Sequence, residues 1–223
     1  MHVDGRFWQQ VHRGETARIV GIAKATSLCY RNCKVQLRIA FTGTHSSGKS
    51  TLLAACKTHF GKRLYPIEDI ARMLIAQGLP MGEKATAHSL LAYIEAQLTA
   101  EHQVPPAADL VISSRTCIDS FAYARANSEF GLPAAVPEYV TGMLEAVALR
   151  ESSYYDLHVY FPIEFPAEPD PVRPPGEEYR RAVDNLICAF IQKHSIPHLA
   201  SKGSKTERTA VLFKTLTSLG MVL

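Results

Sequence analysis

The stretch Gly43-Thr-His-Ser-Ser-Gly-Lys-Ser50 decides the fold, because it matches the Walker A pattern G-x-x-x-x-G-K-[S/T] without a mismatch. Glycine tolerates backbone angles that other residues resist, so the amide N–H groups of such a loop can turn inward around an anion. A helix that starts at the end of the loop adds its positive end to this field. The pattern therefore predicts a loop that cradles phosphate groups.

Two side chains of the stretch have separate predicted roles. Lys49 is expected to reach the β- and γ-phosphates of a nucleotide as a catalytic positive charge, and the Ser50 hydroxyl to ligate Mg²⁺. The guanine-selective pattern Asn-Lys-x-Asp is absent from the sequence, which favours ATP over GTP. The predicted nucleotide-binding residues are Gly43, Thr44, His45, Ser46, Ser47, Gly48, Lys49, Ser50 and Thr51.

The sequence on both sides of the loop has the elements that the pattern requires. Residues 35–41 are apolar and β-prone, which predicts a first strand. Residues 50–60 favour a helix, and Gly61 is placed to end it in a left-handed conformation. A strand, a glycine-containing loop and a helix therefore follow in order.

Strands and helices alternate along the rest of the chain. Further strands are predicted over residues 63–67, 109–113, 157–161 and 196–200, and helices over residues 68–77, 85–103, 119–127, 137–150, 177–194 and 206–218. Pro66 would confine the second strand to a sheet edge, or stand at the strand's end. The alternation predicts an α/β fold, a three-layer P-loop NTPase with a central parallel sheet of about five strands.

Two segments differ from this alternation. Residues 1–34 are basic and lack sustained apolar periodicity, so we interpret them as an N-terminal extension, partly disordered or on the surface. A transit peptide is the alternative, although Asp4 and Glu15 interrupt the basic character. Six prolines fall within residues 162–176, which excludes a regular element there. Residues 35–223 are therefore predicted to form one domain with an irregular segment.

Composition and charge exclude several classes of protein. A net charge of +3 gives no nucleic-acid footprint, and no apolar run is long enough to span a membrane or form a signal peptide, which predicts a cytoplasmic protein. The five cysteines are too few for a disulfide scaffold. Cys29 and Cys33 could form half of a zinc site, but no second cysteine pair exists, so ordinary thiols are the preferred interpretation.

The residues Phe41-Thr-Gly-Thr-His-Ser-Ser-Gly-Lys-Ser-Thr-Leu52 resemble the opening of the nucleoside and nucleotide kinase branch of P-loop proteins. The resemblance is closest to nicotinamide-riboside kinase-like AAA-type ATPase domains, with thymidylate and deoxynucleoside kinases more distant. It extends from Val35 to the C-terminus, but only the phosphate loop is highly specific.

The resemblance also implies roles for residues near the predicted second and third strands. Glu68 stands where deoxynucleoside kinases place a catalytic carboxylate, although a helix N-terminal charge, supplied equally by Asp69, is the alternative. Arg115 is implied to hold an acceptor, with a surface ion pair as the alternative. Ser114 replaces the acid that usually supports the metal, unless Glu68, Asp69 or Asp119 compensates through water. For Asp119 a helix N-cap is the preferred interpretation.

These kinases carry a mobile lid whose arginines close over the transferring phosphate. Arg173, Arg180 and Arg181 lie in or just after the proline-rich segment, so the resemblance implies a lid near residues 162–176, with Arg173 as a catalytic candidate. Arg180 and Arg181 point to different helix faces, so at most one of them would reach the phosphate. The alternative is a solvated basic start of the helix.

The predicted function is ATP-dependent phosphoryl transfer to a nucleoside, nucleotide or related small molecule. A P-loop ATPase or nucleotide-gated binding module is the alternative, and Ser114 favours it because the usual acid is missing. A nucleic-acid-associated ATPase that uses the basic extension is a third, weaker reading. The predicted partners are a nucleotide and a nucleoside-like acceptor, with neither a membrane nor nucleic acid, and the sequence does not specify an oligomeric state.

Overall fold

The computed structural model describes residues 36–132, 136–166 and 176–221. The basic extension over residues 1–34, including Cys29 and Cys33, lies outside the described residues, as does residue 35. Most of the proline-rich segment, residues 167–175, also lies outside them. Within the described ranges, none of the helices has the length and apolar character needed to cross a bilayer.

Five strands and seven helices alternate along the described chain, joined by two short 3-10 turns. The strands are β1 Leu37–Thr42, β2 Leu64–Ile67, β3 Leu110–Ser113, β4 Leu157–Tyr160 and β5 His198–Ala200. The helices are α1 Lys49–Phe60, α2 Ile70–Ala76, α3 Ala87–His102, α4 Cys117–Glu129, α5 Glu138–Ser152, α6 Glu177–Lys193 and α7 Lys205–Ser218. The 3-10 turns are Gly61–Arg63 and Gly82–Lys84.

The five strands form one parallel sheet in the order β2-β3-β1-β4-β5. The inner strands β1, β3 and β4 are almost entirely buried, as expected for apolar strands covered on both faces. Pro66 lies in β2 at the sheet edge, where the lack of its N–H is tolerated as the sequence predicted. β1 lies between β3 and β4, so the strand order changes direction beside β1, and the loop after β1 lies at the crevice where ligands bind in such folds.

Helices cover both faces of the sheet, which confirms the predicted three-layer α/β fold. On one face, α1 and α7 pack on the strands through residues such as Leu52, Phe60 and Leu212. On the other face, α2 to α6 form a larger core around residues such as Tyr93 and Ile187. Alternate residues of β3 point into the two cores, as the period of a strand requires.

The predicted elements are all present, with ends that differ by a few residues. The helix predicted over residues 68–77 begins at Ile70, because the Asp69 side chain accepts a hydrogen bond from the Arg72 amide and caps it. Gly61 ends α1 with a φ of 52° and a ψ of −126°, a backbone conformation that favours glycine but lies outside the left-handed helical region that the sequence predicted.

Candidate nucleotide and acceptor site

The loop between β1 and α1 has the backbone that a phosphate cradle needs. Ser46 and Gly48 have φ values of 52° and 93°, so the chain alternates between ordinary and left-handed conformations. At Gly43, an added Cβ would lie 2.6 Å from the carbonyl oxygen of Phe161, which leaves room for glycine alone. The loop therefore fits phosphate groups through its backbone geometry.

Lys49 folds back onto this loop. Its ammonium group donates hydrogen bonds to the carbonyl oxygens of Gly43 at 2.7 Å and Thr44 at 2.5 Å, and to Ser47 Oγ at 3.0 Å. The side chain is buried. A positive charge therefore stands at the loop, and a charged phosphate can outcompete the three neutral oxygens of these contacts.

Arg180, near the start of α6, lies against the outside of the loop and is 0% exposed. Its Nε donates to the carbonyl oxygen of His45 at 3.1 Å, and its Nη2 to that of Ser46 at 3.0 Å. Its Nη1 donates to the carbonyl oxygen of Phe165 and to a Glu177 carboxylate oxygen. The solvated helix start considered for this arginine is therefore wrong.

The other two lid candidates are placed differently. Arg181 is 71% exposed and pairs with Glu177 at 3.6 Å, so it points away from the loop. Arg173 lies outside the described residues.

Arg208 on α7 is a site residue that sequence reasoning missed. Its Nη1 donates to the carbonyl oxygen of Ser47 at 2.8 Å, and its Nη2 to a Glu164 carboxylate oxygen at 2.6 Å. Its Nε donates to the carbonyl oxygen of Gly203, and its guanidinium lies 5.0 Å above the Phe165 ring. The contact with Ser47 joins residues 161 positions apart, and no local pattern signals it.

Three charged side chains meet near the ends of β2 and β3, beside the phosphate loop. They are Asp69, Arg115 and Asp119. Arg115 lies between two acids, with its Nε 3.5 Å from Asp69 Oδ1 and its Nη1 3.4 Å from Asp119 Oδ1. Burial alone would lower the pKa of the Arg115 guanidinium, but the carboxylates of Asp69 and Asp119 raise it above its ordinary value. Arg115 Nη1 also donates to the carbonyl oxygen of Gly43 at 3.4 Å. This cluster therefore touches the phosphate loop.

Asp119 links the start of α4 to β1. The predicted helix N-cap is wrong for this residue, because Thr116 is the N-cap and Asp119 is the fourth residue of its capping box. The carboxylate accepts hydrogen bonds from Thr42 Oγ1 at 3.0 Å and from the Gly43 amide at 3.1 Å. Asp119 therefore fixes the entry to the phosphate loop as well as its own helix.

Glu68 does not join the cluster. Its carboxylate forms an ion pair with Lys57 on α1, and its side chain is 64% exposed. The neighbouring Asp69 is only 21% exposed and is paired with Arg115. Of the two adjacent acids, the structure therefore directs Asp69, rather than Glu68, towards Arg115.

A pocket opens beside the cluster, with an empty volume of ≈ 370 Å³ that includes open solvent. Most of its wall is apolar or aromatic, and Arg115, Asp119 and Ser120 supply polar groups. Burial raises the pKa of the Tyr93 hydroxyl well above its ordinary value, so this wall residue stays neutral. The lining residues are Ala71, Met81, Gly82, Leu90, Tyr93, Arg115, Asp119, Ser120 and Tyr123.

The residues around Ser50 fit a magnesium ion that is held largely by phosphate and water. Ser50 is exposed at the first turn of α1, as is Thr51. In the described part of the chain, no three His, Cys, Asp or Glu side chains form a metal-binding group, and buried Ser114 Oγ has no hydrogen-bond partner. Mg²⁺ commonly takes one or two protein ligands beside phosphate oxygens and water, so a single hydroxyl is sufficient.

The parallel sheet, the loop after β1 and the adjoining pocket define a P-loop NTPase with the architecture of nucleoside and nucleotide kinases. Residues 38–208 match the family described as an AAA domain, and the chain belongs to that family. No curated protein matches the chain in sequence.

Solved structures, two of them of kinases, share the fold at low sequence identity. Deoxyadenosine kinase from M. mycoides has a TM-score of 0.59 and 15% identity, over 82% of this chain and 100% of its own. NadR in complex with NR has a TM-score of 0.66 and 15% identity, over 84% of this chain and 53% of its own. Thymidylate kinase from Candida albicans has a TM-score of 0.59 and 13% identity, over 84% and 95%. The chain thus spans about half of NadR and nearly all of the two kinases.

Proposed function

We propose that the chain transfers the γ-phosphate of ATP to a hydroxyl group of a nucleoside, a nucleotide or a related small molecule. The observation that carries the proposal is the position of the pocket. Its lining residues Arg115 and Asp119 bond directly to Gly43, the first residue of the phosphate loop. An acceptor in this pocket would therefore lie next to the phosphate that the loop holds.

On the donor side, the loop amides and Lys49 bind the phosphates of ATP. Lys49 exchanges the carbonyl oxygens of Gly43 and Thr44 for phosphate oxygens, which gain more from its charge. The Ser50 hydroxyl would hold Mg²⁺, which would supply charge neutralisation for the bound phosphates. These groups stabilise the charge that develops on the transferring phosphoryl group.

On the acceptor side, we assign the general base to Asp69 in place of the predicted Glu68. The acceptor hydroxyl gives its proton to the Asp69 carboxylate while its oxygen bonds to the γ-phosphorus. The bond from that phosphorus to the bridging oxygen breaks, and ADP leaves. Arg115 orients Asp69 through their ion pair and anchors both to the loop. The aromatic wall formed by Tyr93 and Tyr123 suits a planar base.

ATP hydrolysis without an acceptor is the second candidate, and Ser114 is the observation that favours it. The serine stands where related kinases carry a metal-supporting acid, and its buried hydroxyl bonds to none of the described residues. Hydrolysis needs a positioned water in place of a bound acceptor, and the pocket would then hold a regulatory ligand.

A product assay separates the two functions. The protein is incubated with ATP, Mg²⁺ and a panel of nucleosides and nucleotides that includes nicotinamide riboside, and products are identified by mass spectrometry. The proposal expects ADP and a phosphorylated acceptor in equal amounts. ADP formation at one rate, whatever acceptor is present, would establish the hydrolase and overturn the kinase.

A further inference from the structure

Five consecutive carbonyl groups of the phosphate loop are each bonded by a cationic side chain. Lys49 bonds the first two, Arg180 the next two and Arg208 the last. Arg115 adds a second contact at the first. The carbonyl groups belong to Gly43, Thr44, His45, Ser46 and Ser47.

The direction of these carbonyl groups determines the direction of the amides. A trans peptide unit is planar, so the C=O of one residue and the N–H of the next point in opposite directions. Bonds that hold the carbonyl groups of His45, Ser46 and Ser47 outward therefore turn the amides of Ser46, Ser47 and Gly48 towards the interior of the loop. Those inward amides are the groups that bind phosphate.

The two arginines are themselves fixed by contacts with the protein. Every nitrogen of the Arg180 guanidinium donates to a protein oxygen, and the side chain is fully buried. Arg208 likewise uses all three nitrogens and is pinned between Glu164 and the Phe165 ring. Neither guanidinium is therefore placed to reach into the loop and contact a phosphate.

We propose that Arg180 and Arg208 are positioning residues that hold the phosphate loop in its binding conformation through the carbonyl groups of residues 45–47. This inference rests on the proposed nucleotide site, but it assigns these arginines to the loop backbone rather than to the γ-phosphate. Lys49 is the one cation of the set that changes partner when nucleotide binds, whereas the two arginines keep theirs.

Two lysine variants test the proposal, since Arg180→Lys and Arg208→Lys keep the charge but remove the planar fork. Calorimetry measures the dissociation constants of MgADP and MgATP. We expect each variant to weaken both nucleotides by about tenfold, because a bond from a charged donor is worth roughly that factor or more. ADP is the decisive probe, since it lacks the γ-phosphate. A residue that contacts only that group would leave ADP affinity unchanged.

The matched control is Arg181→Lys, which changes an exposed arginine next to Arg180 and should bind both nucleotides as the wild type does. Because both arginines are buried, thermal unfolding is measured for both variants, and whichever variant folds as the wild type does decides the case.

A nucleotide-free measurement keeps this inference separate from the proposed function. NMR order parameters of the amides of residues 44–48 should be near ~0.85 in the wild type and fall towards ~0.6 in Arg208→Lys. Unchanged order parameters together with unchanged ADP affinity would overturn the role of the arginines, and phosphotransfer could still occur. If the order parameters and the ADP affinity both change but the chain only hydrolyses ATP, the role of the arginines stands and the proposed acceptor is wrong.

Discussion

The donor and acceptor sides of this site are built in different ways. On the donor side, one continuous stretch from Gly43 to Ser50 supplies the backbone, the lysine and the metal hydroxyl. On the acceptor side, Asp69 follows β2, whereas Arg115 and Asp119 lie four residues apart after β3, and the two segments meet only because β2 and β3 end side by side. A site made from one stretch can be recognised in a sequence, whereas a site assembled from several strand ends has to be located in the fold.

The largest expected effect falls on the donor side. Lys49→Ala should lower turnover of ATP by roughly 100- to 1000-fold, as removal of one preorganised charge-stabilising donor commonly does. Lys57→Ala is the matched control, because this lysine lies on the same helix but pairs with Glu68 away from the loop. Steady-state kinetics under saturating Mg²⁺ give the comparison. Equal turnover in the Lys49 variant and the control would show that Lys49 does not stabilise the transferring phosphoryl group.

On the acceptor side, two adjacent acids give a paired test. Asp69→Asn should lower kcat by about 100-fold or more, the usual range for loss of a general base, with little change in ATP binding. Glu68→Gln removes only an exposed ion pair and should stay within about twofold. Loss of kcat in the Glu68 variant alone would restore Glu68 as the general base and contradict the assignment to Asp69.

This pair of acids also shows where sequence reasoning reached its limit. The sequence located the end of β2 and the need for an acid there, because an apolar run followed by a helix is a local signal. Consecutive side chains point in different directions, so a shift of one residue decides which of the two acids faces the site. Glu68 and Asp69 were therefore equivalent as a pattern, and only the fold separates them.

The arginines show a second limit of the same kind. The sequence predicted that Arg180 and Arg181 face different sides of their helix, and the structure agrees. The sequence could not predict that Arg180 would donate to the carbonyl oxygen of His45, since that contact spans 135 residues. No sequence pattern indicates a role for Arg208, because its partner Ser47 belongs to the Walker A motif, which does not include this arginine. Long-range contacts of this kind follow from packing.

A smaller effect is expected from a glycine of the loop. Gly48→Ala places a Cβ at a φ of 93°, 2.8 Å from Arg208 Nη1, so the backbone is strained and either the loop or the Arg208 guanidinium must shift. Strain of about 1–2 kcal/mol should weaken ATP binding by roughly tenfold, as measured by calorimetry.

The control for this glycine is Gly142→Ala inside α5, where nothing lies within 4 Å of the added Cβ. It should raise the free energy of unfolding by about 0.5–1 kcal/mol and leave ATP binding unchanged. Equal ATP affinity in the two variants would show that the loop has no need of glycine at Gly48.

The smallest effect concerns the wall of the acceptor pocket. Tyr93→Phe removes a buried hydroxyl that donates to Gln97 at 3.4 Å, which should cost about 1 kcal/mol in the free energy of unfolding by denaturant titration. The KM for the acceptor should change only a few-fold, since the ring remains, and the KM for ATP should not change. A selective change in the KM for ATP would contradict the assignment of this wall to the acceptor side.

The claim on which both sides depend is that the loop after β1 holds the phosphates of a magnesium nucleotide. Isothermal calorimetry of MgATP with the wild-type chain tests it most directly. We expect saturable binding of one nucleotide per chain. Absence of binding with both MgATP and MgGTP would contradict it, and the pocket beside the loop would then have no phosphate donor.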